Sequence, residues 1–516
     1  MTITLILFPN QLFEYIYMDK IFDNYNTKIK RIIIWEHDYF FKKYLYHKLK
    51  LVFHRATIEG WIEENKKKFT IIHIKNEVNN HLINILKHLE KFNTTHLCFF
   101  DPIELELRKE ILNSTLLNLV NKKNDSFQYI MYDSPYFLNT NEENVNYKNT
   151  KSIRHDIFYK NQRLKYNIMM NNEKPEGGKW SFDTENRLPY KKDQTDILLL
   201  ELNNINRKKI ITKSINFVIK EFSNNYGNCN INNFIYPINR KESIEWLEDF
   251  IKRKLDNFGK YEDAISSNIP FGYHSLLSAL TNVGLITPID ILKYVEKYKK
   301  NIASKEGFIR QVIGWREYCY LIYDNFNKEL EENIFYNKNK NKIPIKFWEG
   351  KTLIPIIDDT LKKVNDYAYS HHIDRLMVLG NFLLLIGVHP KYIFEWFQTM
   401  YIDSYNVFMY PNVYGMLLYG FINSKSHMMT RPYFCSSNYL KKMSNYKSEI
   451  IELNNKEYKW DILFDGLYYN LINKYKIKFE KIYSTAVSVK RWNEYNKNEK
   501  TEYIKIEIII KNIIYL

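Results

Sequence analysis

Polar side chains that could do chemistry cluster in the C-terminal half of the sequence, within segments of helical period. The adjacent His371 and His372 could donate or accept protons near neutral pH, or could be core histidines with satisfied hydrogen bonds. Arg375 would need a carboxylate partner if it is buried, because an unpaired buried charge is costly. Asp403 is the best nearby candidate for that partner. The pattern predicts either polar groups arranged around a ligand or a network of hydrogen bonds between helices.

Two further sets of residues in this half could take part in chemistry. Ser275 and Ser278 lie near the expected start of a helix, where hydroxyl and free backbone N–H groups suit a phosphate or a pyrophosphate. The same spacing also fits an ordinary helix N-cap, so both interpretations stay open. Trp348 and Trp396 could carry electrons if they line a redox path, or could serve packing alone.

The composition excludes several classes of protein. Of the 516 residues, 45% are hydrophobic, which excludes a mostly disordered chain. No run reaches the roughly 18 apolar residues of a membrane span, and the N-terminus lacks the basic region of a signal peptide, so we expect an intracellular protein without membrane association. We also expect a monomer. The net charge of +16 suggests a nucleic-acid partner, or equally the Lys-rich coding of an AT-rich genome.

The elements that must position these residues are of two kinds. In residues 1–140, short apolar runs alternate with amphipathic stretches, which indicates an α/β domain with a parallel, Rossmann-like sheet. A helix is predicted from about Asp38 to Lys48, and the run 51–56 is predicted to open the next helix. Parallel sheets place ligands at the carboxyl ends of their strands. The predicted strands are 3–8, 31–36, 70–74, 96–102 and 127–135.

The rest of the chain divides into three parts. Residues 141–205 are typical of a long linker, with a Gly-Gly pair and Pro175 marking irregular backbone. Residues 206–490 show the helical period almost throughout and predict an all-α domain. The tail, 491–516, could be strand or helix.

Several longer motifs occur together in this chain. They are GGKWSFDTENR (177–187), YHSLLSALTNVGLITP (273–288), EGFIRQVIGWREY (306–318), HHIDRLMVLGNF (371–382), PNVYGM (411–416) and RPYFCSSNYLKKMSNY (431–446). In this order they resemble the bacterial-type branch of the photolyase and cryptochrome family, which comprises prokaryotic (6-4) photolyases and related cryptochromes. The resemblance extends over nearly the whole chain. It implies an antenna pigment in the first domain and a bent FAD in the helical domain.

The resemblance implies a set of FAD-binding residues. Arg375 and Asp403 match the family's ion pair at the flavin ring, where a fixed positive charge would favour the anionic reduced form. Ser275 and Ser278 match the segment that holds the pyrophosphate, and Met409 matches the position that faces flavin N5. The full set is Ser275, Ser278, Trp315, Arg316, Arg375, Asp403 and Met409.

The resemblance also assigns the catalytic histidines and the electron path. His372 matches the histidine beside the lesion, where it would donate a proton or hydrogen bond, and His371 would orient it. The second lesion-side histidine of animal (6-4) enzymes falls on Leu376. Trp396 and Trp348 match the aromatic relay that photoreduces the flavin. A tyrosine often follows the first relay tryptophan in the family, whereas this chain has Phe397, which cannot deprotonate.

Three further expectations concern other groups. Gln11 and Glu36 match the pocket that holds a ribityllumazine antenna in relatives, or could be strand-end hydrogen bonders in an empty pocket. Lys179 and Arg187 match the linker segment that lies against DNA, and Asp183 matches an acidic residue linked to a divalent cation near the lesion. Many relatives hold a [4Fe–4S] cluster on four cysteines, but this chain lacks cysteines at those positions, and we predict no iron–sulfur cluster and no other metal site.

The resulting prediction is a light-driven DNA photolyase, a lyase in which reduced FAD passes an electron to a flipped-out UV lesion, the (6-4) photoproduct being favoured. The alternative is a cryptochrome-like blue-light photoreceptor that binds FAD without repair. A third possibility is a helical DNA-binding protein whose flavin pocket has decayed. His372 and the linker motif favour repair.

Overall fold

The N-terminal part is built on a five-stranded parallel sheet. The computed structural model describes residues 2–27, 29–77, 80–113, 127–148, 153–453 and 456–515. Across the sheet the strands follow the order 70–74, 31–35, 3–7, 96–100 and 128–132, and the strands 3–7 and 96–100 are entirely buried, as expected for strands covered on both faces. The predicted Rossmann-like sheet is confirmed. The strands are β1 (Ile3–Leu7), β2 (Arg31–Trp35), β3 (Thr70–Ile74), β4 (His96–Phe100) and β5 (Gln128–Tyr132).

One predicted helix of this part was too long. The helix that begins at Asp38 ends at Phe41, because the chain then turns towards the helical part. There the backbone N–H of His47 donates to the Thr399 carbonyl at 2.8 Å, and its ring accepts the N–H of Leu49 at 3.0 Å as the cap of the next helix. The run 51–56 lies in that helix, as predicted. The helices here are Tyr15–Asp23, Asp38–Phe41, Lys48–Asn65, His81–Lys91 and Leu105–Leu112.

The linker region is partly helical. It contains the helices Asn141–Lys148 and His155–Tyr166, the short strands Met170–Asn171 and Lys174–Pro175, and the 3₁₀ turns Glu176–Gly178 and Asp183–Glu185. The motif at 177–187 therefore follows the paired strands 170–171 and 174–175, and the two 3₁₀ turns lie at its start and within it.

The C-terminal part is helical, as predicted, and its described residues also include two paired antiparallel strands, Ile450–Leu453 and Lys456–Lys459. The tail forms the helix Lys497–Ile514, which begins with a capping box between Asn496 and Glu499. The other α-helices are Ile205–Glu221, Arg240–Asp249, Leu255–Tyr261, Leu277–Asn282, Pro288–Val295, Ile302–Ile309, Arg316–Glu332, Ile345–Trp348, Pro355–Tyr367, Asn381–Leu385, Pro390–Met400, Asn406–Met409, Ser437–Met443, Trp460–Lys474, Lys476–Phe479 and Tyr483–Glu494. In the described part of the chain, no helix is both long and apolar enough to cross a membrane.

Several of these helices contain a wider, π-helical turn. Such turns are rare in proteins overall. Those that occur often lie at functional sites, because they shift the side chains that follow them around the helix axis. The sequence period did not predict them. The π-helical segments are Phe250–Lys254, Arg310–Trp315, Asp374–Gly380 and Tyr410–Leu417.

Candidate functional site

A cavity of about 300 Å³ lies among the helices that carry the π-helical segments 310–315, 374–380 and 410–417. This size is within the range of ligand pockets. His371, Trp396 and Trp348 are not part of its lining. The sequence-predicted residues that do line it are Ser275, Ser278, Trp315, Arg316, His372, Arg375, Asp403 and Met409.

A bidentate ion pair forms one wall of the cavity. Nη1 and Nη2 of Arg375 lie 2.8 and 3.0 Å from the two carboxylate oxygens of Asp403, and the Ser278 hydroxyl donates to the same carboxylate at 2.6 Å. Burial disfavours both charges, but their mutual attraction outweighs it, so the pKa of Arg375 is raised and the pKa of Asp403 is lowered. The pair is therefore ionised and fixed in place. Arg375 Nε also donates to the Ser370 carbonyl at 2.7 Å.

A second arginine in the wall is incompletely satisfied. Arg316 donates from Nη1 to Asn282 at 2.6 Å, and its guanidinium carbon lies 4.6 Å from the centre of the Tyr136 ring and 4.7 Å from that of Phe408. Its Nε atom is buried without a hydrogen-bond partner among the described residues. Burial lowers the pKa of Arg316. A guanidinium with an unused donor at a cavity suits an anionic or strongly polar ligand.

The segment that carries the two serines is held in a strained conformation. Leu276, between them, has a φ of +55°, a left-handed conformation that is unfavourable for a residue with a side chain. The Ser275 hydroxyl oxygen accepts the N–H of Leu277 at 3.3 Å, while the Ser278 hydroxyl donates to Asp403. Ser275 therefore keeps a hydroxyl hydrogen for a ligand, whereas Ser278 positions the carboxylate.

Trp315 and Met409 both line the cavity, and Asn412 links Trp315 to the helix of Met409 by donating from Nδ2 to the Phe408 carbonyl at 2.8 Å. Trp315 Nε1 donates to Asn412 Oδ1 at 3.2 Å. The helix of Met409 begins at Asn406, whose backbone N–H donates to the carboxylate of Glu104 at 3.1 Å. The N-terminal part thus fixes the start of a helix that lines the cavity.

The two histidines occupy different environments at this cavity. His372 is 49% exposed, and its Nε2 lies 3.0 Å from Asp263 Oδ1. Partial loss of water around the ring opposes protonation, but the hydrogen bond with Asp263 outweighs this effect and raises the pKa of His372. His371 is buried, lies 3.3 Å from Asp374 and stacks on His274 at 4.7 Å. That His371 orients His372 stays a prediction: the two rings lie 6.0 Å apart between centres, and the hydrogen-bond partner of His372 is Asp263.

A further carboxyl group lies close to His372. Glu262 lines the cavity, and burial raises its pKa to about 7, although the neighbouring Arg310 opposes this shift. Such a group changes protonation near neutral pH and can hold or release a proton beside the cavity. The sequence did not single out six residues of this site: Asp263, Glu262, His274, Asn282, Asn412 and Glu104. Residue type also could not predict the left-handed conformation of Leu276 or the π-helical turns.

Comparison with known proteins identifies the family. The family model described as deoxyribodipyrimidine photo-lyase-related protein matches residues 5–234. The (6-4) photolyase of Agrobacterium fabrum (strain C58 / ATCC 33970) is 30% identical over 469 residues, covering 87% of this chain and 87% of that protein. The chain belongs to the photolyase and cryptochrome family.

Two solved structures of this family have a similar fold. The bacterial class III photolyase of Agrobacterium tumefaciens has a TM-score of 0.54 at 13% identity, covering 80% of this chain and 79% of that one. The cryptochrome of Synechocystis sp. PCC6803 has the same score and identity, covering 80% of this chain and 82% of that one. One is a photolyase and the other a cryptochrome, so the fold is shared and the site must be argued from its residues.

Members of the photolyase and cryptochrome family generally bind FAD, and the cavity fits such a group. The orphaned Nε of Arg316 and the free hydroxyl hydrogen of Ser275 are unused donors, as an anionic pyrophosphate or a flavin carbonyl requires. The Arg375–Asp403 pair supplies a fixed guanidinium at the same cavity.

The two tryptophans that resemble the family's relay lie behind the cavity. Phe397 lines the cavity, and the buried Trp396 meets it edge-on with 5.2 Å between ring centres. Trp348 lies 6.5 Å from Trp396 between ring centres and is partly exposed. The arrangement forms a chain of rings from the cavity wall to the surface.

The residues expected to hold an antenna pigment are occupied by protein groups. Gln11 Nε2 donates to the carbonyls of Phe100 and Asp101 at 3.0 and 3.1 Å. Glu36 is fully buried and accepts hydrogen bonds from Arg55 at 2.5 and 2.6 Å and from His73 at 2.9 Å. Burial would raise the pKa of Glu36, but these partners lower it to about 2. The Gln11 Oε1 atom also accepts the N–H of Phe8 at 3.3 Å, so protein groups engage both side chains, and their role in holding a lumazine stays a prediction.

The linker residues of the family motif are exposed and paired. Lys179 contacts Glu185 at 3.1 Å, and Arg187 contacts Asp183. Asp183 also lies 3.2 Å from Arg310, so its charge is balanced by two guanidinium groups and does not favour the expected divalent cation. The exposed cations remain available to phosphate groups.

The cysteines lie in separate elements, as the prediction of no iron–sulfur cluster requires. Cys98 is in β4, Cys229 precedes the helix at 240, Cys319 is in the helix Arg316–Glu332, and Cys435 packs against Asn381. The absence of a cluster stays a prediction that iron and sulfide analysis tests.

Proposed function

We propose that this chain is a light-driven DNA photolyase that binds FAD in the helical cavity and repairs the (6-4) photoproduct. The observation that carries the proposal is the ionised Arg375–Asp403 pair in the cavity wall, with the half-exposed His372 at the same cavity. FAD supplies the light-driven electron transfer when it is bound.

The protein groups have separate roles in this proposal. The guanidinium of Arg375 would stabilise negative charge on a flavin ring bound in the cavity, and Asp403 holds that guanidinium in place through two hydrogen bonds. Arg316 and Ser275 bind the polar part of the cofactor. Trp396 and Trp348 resupply electrons to the cavity.

His372 is the proposed acid. Asp263 holds its ring and raises its pKa, so His372 carries a proton over a wider pH range than a free histidine. From there it donates a hydrogen bond or a proton to the lesion. Lys179 and Arg187 would bind phosphates of the flipped-out strand, and the net charge of +16 offsets part of the cost of flipping.

The test uses the purified protein with its bound cofactor. Its absorption spectrum is recorded, and it is then illuminated with oligonucleotides that contain a (6-4) photoproduct or a cyclobutane dimer. We expect a flavin spectrum and reversal of the (6-4) photoproduct. Reversal of neither lesion, with a flavin that still photoreduces, would instead support a cryptochrome-like photoreceptor, and a colourless protein would refute flavin binding.

A matched pair of variants tests the catalytic residue. His372→Ala should abolish repair and keep bound flavin, whereas His88→Ala, on a helix of the N-terminal part, should repair like the unmodified protein. A fully active His372→Ala variant contradicts the proposed acid.

A further inference from the structure

We propose that Tyr226 is the terminal electron donor of the aromatic path, so that photoreduction of the flavin ends on a phenol at the protein surface. The ring of Tyr226 stacks on Trp348 with 4.2 Å between ring centres and 18° between planes. Trp348 in turn lies 6.5 Å from Trp396. This inference rests on the flavin binding proposed above.

The direction of transfer follows from burial. Trp396 is 1% exposed, whereas Trp348 and Tyr226 are both partly exposed. A positive charge left on a ring by electron loss is better stabilised near water than in an apolar interior. The positive charge therefore moves outward from Trp396 to Trp348, and the close stacking favours the last step to Tyr226.

The chemical balance of the last step is simple. One electron passes from Tyr226 to the oxidised Trp348, which restores the neutral indole, and the phenolic proton goes to water. When FAD is bound, one electron would leave Tyr226 for each electron that the path supplies to the cofactor. The tyrosyl radical is neutral, so it is no longer attracted back to the reduced flavin, and an external thiol returns it to tyrosine by giving one hydrogen atom.

A competing phenol lies near Trp396 but is poorly suited. Tyr401 is 5.8 Å from Trp396 between ring centres, yet it is fully buried and bonded to Ser370. The guanidinium of Arg375 lies 4.1 Å from the centre of the Tyr401 ring, and its positive charge opposes electron loss there. Tyr226 has no such cation among its described contacts and can release its proton to solvent.

The loop that carries Tyr226 is fastened to two other elements. The Tyr226 carbonyl accepts the N–H of Lys48 at 2.8 Å, and the N–H of Asn228 donates to the Asn365 carbonyl at 2.8 Å. Gly227 has a φ of +78°, and a Cβ there would lie 1.9 Å from the His47 ring, so the turn requires glycine. The stacking on Trp348 is thus held by the backbone.

The test compares Tyr226→Phe with Tyr392→Phe, a matched control on the helix of Trp396 whose described ring contact is with His389. Phenylalanine keeps the stacked ring but has no proton to release. Under blue light, electron paramagnetic resonance should show a tyrosyl radical in the unmodified protein and in Tyr392→Phe, and its loss in Tyr226→Phe. A spin trap should label the peptide that contains Tyr226. Bound flavin should be equal in all three proteins.

The outcomes separate this inference from the proposed function. If Tyr226→Phe shows the same tyrosyl signal and photoreduction yield as the unmodified protein, the terminal donor is another residue and the inference is wrong. If the unmodified protein photoreduces its flavin without any tyrosyl radical, the inference is also wrong but flavin binding stands. A protein without flavin overturns both.

Discussion

Replacement of Glu36 by glutamine tests whether this residue stabilises the sheet or holds a pigment. The carboxylate is fully buried and bonded to Arg55, His73 and the backbone of Asn76. Its pKa is about 2 in the folded protein against a reference value of 4.5. That difference corresponds to about 3 kcal/mol of stability by linkage, at about 1.4 kcal/mol per pKa unit.

The sign follows from the lowered pKa. The contribution is fully present above pH 4.5 and is lost as the pH falls towards 2, because the folded state then also binds the proton. Glu36→Gln should therefore lower the free energy of unfolding at pH 7 by about 3 kcal/mol, and the difference from the unmodified protein should narrow below pH 4.5. The control is Glu63→Gln, since Glu63 pairs with Lys66 on the surface and should contribute less than about 1 kcal/mol.

The assay is urea unfolding followed by tryptophan fluorescence, in which Trp35 and Trp61 report on the N-terminal part. Because the chain has more than one structural part, it can unfold in more than one transition. The free energy to compare between variants is that of the transition in which the fluorescence of Trp35 and Trp61 changes. A loss no larger than that of Glu63→Gln would refute the structural role. Loss of a bound lumazine without loss of stability would show that Glu36 is an antenna ligand after all.

Three further outcomes are expected. Asp263→Asn removes the carboxylate that raises the pKa of His372, so His372 should lose its proton at a lower pH. The fall in repair rate with rising pH should therefore begin at a lower pH than in the unmodified protein; an unchanged pH–rate profile contradicts this. Lys179→Ala and Arg187→Ala should weaken DNA binding for damaged and undamaged duplexes alike and reduce the salt dependence by about one counterion each, in a binding titration against salt. Asp403→Asn leaves a buried guanidinium without its carboxylate, so it should lower the free energy of unfolding by about 3–5 kcal/mol and should also reduce the amount of bound flavin. Thermal unfolding and flavin absorbance measure the two effects; full flavin occupancy with an unchanged unfolding midpoint argues against this role.

The extent of the sheet could be predicted because strand signals are local. Apolar runs such as 70–74 are set by residues next to each other, and the observed β3 has the same bounds. The helix predicted from Asp38 to Lys48 failed because the contact that ends the local structure, between His47 and Thr399, comes from a distant segment. The periodicity of hydrophobic residues along the sequence does not predict contacts with distant segments.

The site shows the same division. The family motifs pointed to Arg375 and Asp403, which the structure brings together. Nothing in the motif pointed to Asp263 as the partner of His372, since 109 residues separate them. Nor could residue type show that Glu36, an antenna candidate by motif, has every carboxylate oxygen engaged by protein groups.

The amino-acid sequence by itself determined the parallel sheet, the helical remainder, the family and eight of the residues that line the cavity, because these depend on short-range periodicity and on motifs of neighbouring residues. Only the tertiary structure decided which side chains meet. Glu104 accepts a hydrogen bond from Asn406, 302 residues later in the chain. Tyr226, which lies in a loop, stacks on Trp348 in the helix Ile345–Trp348. Such meetings depend on how whole elements pack, and packing is a property of the assembled core, not of any local stretch of sequence.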